Sequence, residues 1–110
     1  MIEGLGLDVV EVERIEQALA RPGFAERILT PAERALGLTP LRVAGRWAAK
    51  EAVAKAVGLH LSWQDVEILN DEAGRPVATV AGLPEGAQVL VSITHERGLA
   101  VAVAVLEASH

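Results

Sequence analysis

Cysteine is absent from the chain, which excludes disulfides, zinc thiolate centres and cysteine nucleophiles and leaves oxygen or imidazole as the only ligands for a metal. Tyrosine is absent too, and one Phe and two Trp are the whole aromatic complement, so there is little on which nucleic-acid bases could stack. Positive charge is also short. A formal net charge of −5 offers phosphate backbones no general attraction, and nucleic acid is not expected as a partner. No apolar run reaches the roughly 18 residues of a membrane span. Met1 is followed by Glu3 and Asp8 in place of a basic segment and an apolar stretch, so a soluble, unexported, cytoplasmic protein without a membrane partner is expected. Repeats, low-complexity tracts and long linkers are missing as well.

What is present suffices for one core. The 110 residues, 51% of them hydrophobic, are enough for one compact domain spanning 1–110 and too few for two. Along Ile2 to Val10, Leu5, Leu7 and Val9 share one strand face while Gly4, Gly6 and Asp8 share the other, the glycine side leaving room for close approach. A helix is predicted over Glu11 to Ala20, stopped by Arg21-Pro22-Gly23. A short second one starts at Thr30-Pro31-Ala32-Glu33, with Thr as cap and Glu at the third position. The third, from about Leu41 to Val57, ends at Gly58 and should be central. Val66 to Leu69 and Val77 to Val80 flank a turn-rich segment and form a hairpin. Val89 to Thr94 and Leu99 to Glu107 make two more strands, joined through His95-Glu96-Arg97-Gly98. In the last strand Val101, Val103 and Val105 alternate with Ala100, Ala102 and Ala104, giving one bulky face and one flat face that a helix could approach. The expected fold class is α+β, with helices packed on a mostly antiparallel sheet.

Two acids stand where acids are hard to explain structurally. Asp8 ends a strand-like run and Glu51 lies inside an alanine-rich helix. Buried carboxylates must be paired, hydrogen-bonded or bound to a cation, so the pair points to a divalent-metal site. On the helix, Glu51 and Lys55 share a stripe with Ala44, Trp47 and Ala48, whereas Arg46 and Lys50 share one with Val53 and Val57. Ordinary pairing one turn apart, worth about 0.2–0.5 kcal/mol, is one explanation. Three cations and one acid gathered for a phosphorylated ligand is the other. Magnesium, with one or two protein carboxylates and a shell shared with substrate phosphates, suits Asp8 and Glu51.

Gly4-Leu5-Gly6-Leu7-Asp8, Arg14-Ile15, Phe24-Ala25-Glu26-Arg27-Ile28-Leu29-Thr30, Gly45-Arg46-Trp47-Ala48-Ala49-Lys50-Glu51-Ala52 with Lys55-Ala56, Gly74-Arg75-Pro76 and Val91-Ser92-Ile93-Thr94-His95 together, in this order, resemble the holo-acyl-carrier-protein synthase family of small 4'-phosphopantetheinyl transferases. The resemblance implies transfer of the phosphopantetheine arm of coenzyme A to a serine of apo acyl carrier protein, serving fatty acid biosynthesis, with Mg2+ as cofactor. It makes Asp8 and Glu51 the metal ligands and puts Lys55, Arg46, Thr94 and His95 at the coenzyme's phosphates. Gly74, Arg75 and Pro76 then form a turn beside the adenine. Catalytic roles fall to Glu51, Lys55 and His95. Arg14 matches an arginine that meets the carrier's acidic helix, and Arg21, seven residues on, extends that face with Arg27 shortly after. The resemblance also implies a homotrimer with active sites where subunits meet.

Several alternatives stay open. Lys55 could simply pair with Glu51, His95 could be solvated, and Gly74-Arg75-Pro76 could be plain hairpin chemistry. The general base is either Glu51 or a metal-held water. His60 and His110 match no family site. Departing from the family, Val57-Gly58-Leu59-His60-Leu61-Ser62-Trp63 is short and keeps only Gly58 of a Gly-Thr-Gly loop, which puts that loop's phosphate contacts in doubt. The stretch between Thr30 and Gly45 is short too. A silent binding module and a magnesium-dependent pyrophosphate hydrolase are the rival functions.

Overall fold

The computed structural model describes residues 1–109, so His110 lies outside the described residues. Strand β1 (Ile2–Glu11) leads into α1 (Val12–Leu19), the short helices α2 (Phe24–Ile28) and α3 (Pro31–Arg34), and the long α4 (Pro40–Val57). One 3-10 turn at Trp63–Asp65 precedes β2 (Val66–Asn70), β3 (Pro76–Val80), β4 (Ala87–Glu96) and β5 (Leu99–Ala108). Every strand pairing is antiparallel, which bears out the α+β expectation. The strands form two sheets, however, with orders β1-β5-β4 and β2-β3. Strand β3 runs beside β4 without joining it, leaving a groove of about 420 Å³ lined by Arg75, Pro76, Val77 and Gln88 to Ser92.

Local chemistry explains the elements. Thr30 accepts the backbone N–H of Glu33 at 3.2 Å while Glu33 accepts that of Thr30 at 2.7 Å, the reciprocal box expected for a helix start, and Pro31 holds the first position. At the start of α4, Thr39 accepts the backbone N–H of Arg42 at 3.3 Å and Pro40 holds the first position, without a reciprocal acid, and the helix ends at Gly58 with φ 72°. Arg97 (φ 45°) and Gly98 (φ 80°) form a two-residue turn between the paired Glu96 and Leu99, so β4 runs on to Glu96, past the expected Thr94, while β5 begins at Leu99 as expected. Helix α2 was not anticipated from periodicity. At five residues it survives because its last carbonyls accept from other segments: Gln64 and Arg34 donate to Leu29 O, and Lys50 donates to Ile28 O.

Helix α4 is central, as expected, and lies on the alanine face of β5, where Ala100, Ala102 and Ala104 are buried against it. Gly4 and Gly6 bring β1 equally close: a Cβ at Gly4 would fall on the carbonyl of Ala56, and one at Gly6 on that of Ala52. Two strand residues advance about 6.6 Å and four helical residues about 6 Å, so strand and helix keep step. The same step carries Asp8, the next position on that face, toward the preceding turn of α4. On the other side of the sheet Leu5, Leu7 and Val9 stay 65%, 61% and 56% exposed. No described helix is long and apolar enough to cross a membrane.

Candidate active site

Asp8 is carried to α4 by the register that the two glycines permit. A helical side chain leans toward the helix N-terminus, so Lys55 reaches back along the stripe that it shares with Glu51. The Lys55 ammonium donates to Leu7 O at 2.9 Å and to Asp8 Oδ1 at 3.2 Å. Its partner is thus Asp8 and not Glu51. Neither acid is fully buried, contrary to the sequence expectation: Asp8 keeps 19% of its side chain in solvent, and Glu51 is half-buried. Glu51 makes no hydrogen bond or ion pair among the described residues, and it borders a cavity of about 190 Å³ walled by Ala54, Leu61, Ser62, Trp63 and Val66. Two carboxylates, one without a partner and both open on one side, fit a hard cation that completes its shell with water and phosphate oxygens.

The fully buried acid is Glu33, which sequence reasoning used only as a capping residue. It accepts from Lys50 at 2.6 Å, from Thr30 N and from Ile68 N at 2.8 Å. Lys50 spends its three protons on Glu33, Ile28 O and Trp63 O. Desolvation pushes its ammonium below the ordinary lysine range, and Glu33 partly offsets this. Lys50 is therefore a core residue, and the idea that three helix cations gather on one ligand is corrected. A capping box was legible; that its Glu would also take a lysine from another helix was not.

Arg46 is buried as well, and desolvation lowers its pKa. Its Nε donates to Ile68 O at 3.0 Å and its Nη2 to Asn70 Oδ1 at 2.8 Å, so two of its five N–H groups are spent on β2. It still lines a cavity of about 260 Å³, together with Arg42, Asn70, Gly74, Pro76 and His95. Histidine 95 is not past the strand end but inside β4, opposite Ala100. A Cβ on Gly45 would stand 3.2 Å from its Nε2, so the absence of a side chain at Gly45 lets the imidazole lie against α4. Thr94 alternates to the outer face of the sheet and does not line this cavity, so within one chain Thr94 and His95 do not act on the same ligand atom. Exposed Arg75 is paired with Asp71 at 3.2 Å and faces the β3–β4 groove.

Asp8 pairs across the sheet with Ala102, and Ala102 with Ile93, while His95 sits two residues beyond Ile93. Since α4 covers β5, Asp8 with Glu51 and Lys55 lies on one flank of the helix, and His95 with Arg46 on the other. The sequence-derived residues form two half-sites.

A third assembly gathers all three aromatic residues. Phe24 stacks on Trp47 with centroids 5.9 Å apart, and Trp47 meets Trp63 at 4.4 Å. Arg14 lies 5.6 Å over Trp47, and Arg21 and Arg27 lie 5.8 and 5.6 Å from the Phe24 ring. Arg21 is beyond the end of α1, so it joins Arg14 around the aromatic ladder and not along one helix face.

A protein-family model described as the 4'-phosphopantetheinyl transferase superfamily matches residues 4–104. The chain belongs to that superfamily. It is 50% identical to the holo-[acyl-carrier-protein] synthase of Geobacillus kaustophilus over 97% of this chain and 90% of the relative. With that of Solidesulfovibrio magneticus it shares 51% identity over 97% and 99%. Among solved structures, a holo-(acyl-carrier-protein) synthase from Bacillus anthracis in complex with CoA (3',5'-ADP) superposes with a TM-score of 0.88 at 43% identity, covering 99% of each chain. As a 4'-phosphopantetheinyl transferase, the chain is an enzyme, and its α+β architecture is that of these synthases. Asn70 was missed by sequence reasoning because an Asn beside a turn already has a local explanation. The short segment after Gly58 closes onto its own Ser62 cap and places Trp63 on the ladder.

Proposed function

We propose that this transferase moves 4'-phosphopantetheine from coenzyme A to a serine of apo acyl carrier protein, with Mg2+, in the service of cytoplasmic fatty acid synthesis. The observation that carries the reading is the ion pair of Asp8 with Lys55, one helical turn from Glu51 of α4, itself unpaired among the described residues, at the close strand–helix contact that Gly4 and Gly6 allow. The serine Oγ gives its proton to Glu51 or to water and forms a bond to the phosphorus that bears the pantetheine, and the bond from that phosphorus to the bridging oxygen breaks, releasing adenosine 3',5'-bisphosphate. When bound, Mg2+ supplies positive charge to the pyrophosphate oxygens. Asp8 and Glu51 would hold it. Lys55, exposed and flexible, exchanges its contact with Asp8 for a phosphate oxygen and carries a point charge to the breaking bond. Arg46 and His95 hold the coenzyme's phosphates, and the Gly74-Arg75-Pro76 turn closes beside the adenine. The acidic carrier docks on Arg14 and Arg21 around the aromatic ladder, a local positive field on an otherwise acidic protein.

Two half-sites on opposite flanks of one helix are best joined by a second copy. A homotrimer, in which one subunit's His95 side faces a neighbour's Asp8 side, supplies that and covers the exposed leucines of β1. It also gives the outward Thr94 a coenzyme to meet.

The test is intact mass spectrometry of apo acyl carrier protein after incubation with the enzyme, coenzyme A and Mg2+. Gain of one phosphopantetheinyl group, lost with Asp8→Ala or Glu51→Ala, supports the proposal. Coenzyme A cleavage with an unmodified carrier would indicate a hydrolase. Intact coenzyme A with no modification would indicate a binding module.

A further inference from the structure

The turn between β2 and β3 is tied to α4 through one side chain. Asn70, at the end of β2, uses both ends of its amide: Oδ1 accepts from Arg46 Nη2 at 2.8 Å, and Nδ2 donates to the Gly74 carbonyl at 3.0 Å. Within the turn, Asp71 accepts the N–H groups of Ala73 and Arg75, both at 2.9 Å, and pairs with the Arg75 guanidinium. Those bonds give the turn its form, and Gly74 at φ 84° supplies the left-handed residue it needs. They do not anchor it to the helix. Among the described residues, Asn70 is the one side chain whose hydrogen bonds link the turn to α4. Arg46, Asn70 and Gly74 all line the same 260 Å³ cavity.

We infer that Asn70 is a positioning residue for donor recognition, fixing the spacing between the Arg46 guanidinium and the Gly74-Arg75-Pro76 turn and hence the shape of the cavity that receives a nucleotide-bearing donor. This rests on the reading of that cavity as the coenzyme A site. An arginine has many rotamers, and one already held by Ile68 O and Asn70 captures an anion at lower entropic cost than a free one. The carbonyl of Gly74, held by Asn70, keeps the turn at one distance from that cation. Asn70 bonds Arg46 and Gly74 and none of Asp8, Glu51 and Lys55, so loss of Asn70 weakens donor binding and leaves the groups of the chemical step in place.

Steady-state transfer and calorimetric binding of coenzyme A, measured for the wild-type enzyme, Asn70→Ala and Asn70→Asp, test this. Asn70→Ala should raise KM and Kd for coenzyme A about three- to tenfold, the worth of a hydrogen bond or two. Its kcat and its KM for the carrier should stay within about twofold of wild type. Asn70→Asp, which keeps an acceptor for Arg46 but loses the donor to Gly74, should fall between. In an Arg46→Ala background, Asn70→Ala should add little, because both act in one network. Unchanged coenzyme affinity in Asn70→Ala overturns the inference, as does a fall in kcat that parallels a fall in melting temperature in both variants. If Asn70→Ala does not fold, Asn70→Asp carries the comparison. A wild-type enzyme that neither binds coenzyme A nor modifies the carrier overturns the function itself. Wild-type transfer beside an unaffected Asn70→Ala overturns only the role of Asn70.

Discussion

Lys50 and Lys55 are one residue type on one helix, five positions apart, and their surroundings give them opposite work. Lys50 is buried with all three protons satisfied, whereas Lys55 is 55% exposed and touches Asp8 at 3.2 Å. Breaking a buried pair by removing one partner costs about 3–5 kcal/mol, because the other charge is left without compensation. Lys50→Met should therefore lower the unfolding free energy by that order, measured by urea denaturation, and Glu33→Gln should do nearly as much. Since the two groups share a network, the double variant should cost less than the sum. An exposed pair such as Lys55 with Asp8 is worth under about 1 kcal/mol after solvent screening. Lys55→Ala should leave the denaturation midpoint nearly unchanged and lower kcat by about 10²–10³-fold, the usual cost of losing one group that stabilises transition-state charge. A marked loss of stability with little loss of turnover would make Lys55 a structural residue.

At the scale of elements, the contact between β1 and α4 decides where Asp8 stands along the helix that carries Glu51 and Lys55. Gly6→Ala would drive a methyl group onto the Ala52 carbonyl and force the strand back, an overpacking cost of about 1–3 kcal/mol. A lower melting temperature is expected, together with a higher Mg2+ concentration for half-maximal transfer, because Asp8 recedes from Glu51. A variant with a normal Mg2+ response would show that the strand register does not govern the proposed metal site. This interface was legible in advance: the period-two glycines of β1, the alternating Val and Ala of β5 and the caps of α3 and α4 each express a local rule. What escaped was long-range. Nothing local announces that Glu33 takes Lys50, that Arg46 is spent on β2, or that α2 is capped by Gln64 and Lys50 from segments more than 20 residues away. Those partners are chosen by tertiary packing. The stripe analysis consequently put Lys50 at a ligand when it is a core residue, and did not foresee that Arg46 would be anchored to β2 at the wall of a cavity.

At the scale of the molecule, the outer face of the three-stranded sheet remains to be explained. Leu5, Leu7 and Val9 of β1 lie beside Val101, Val103 and Val105 of β5, and Leu90 of β4 adds to the same side. A contiguous apolar face of this kind is seldom left in water by a monomer. The separation of the half-sites gives the same surface a second reason to be covered, since under the proposed function a pyrophosphate at Arg46 and His95 would also have to reach Asp8 and Glu51 around the bulk of α4. Leu7→Glu places a charge in the middle of that face while pointing away from the core. Sedimentation analysis should show the wild-type enzyme as a trimer and Leu7→Glu as a monomer, with circular dichroism unchanged and transfer to the carrier lost. A folded monomer that retains wild-type transfer would mean that one chain brings its own two flanks to a single coenzyme, and the assembly would then serve stability alone.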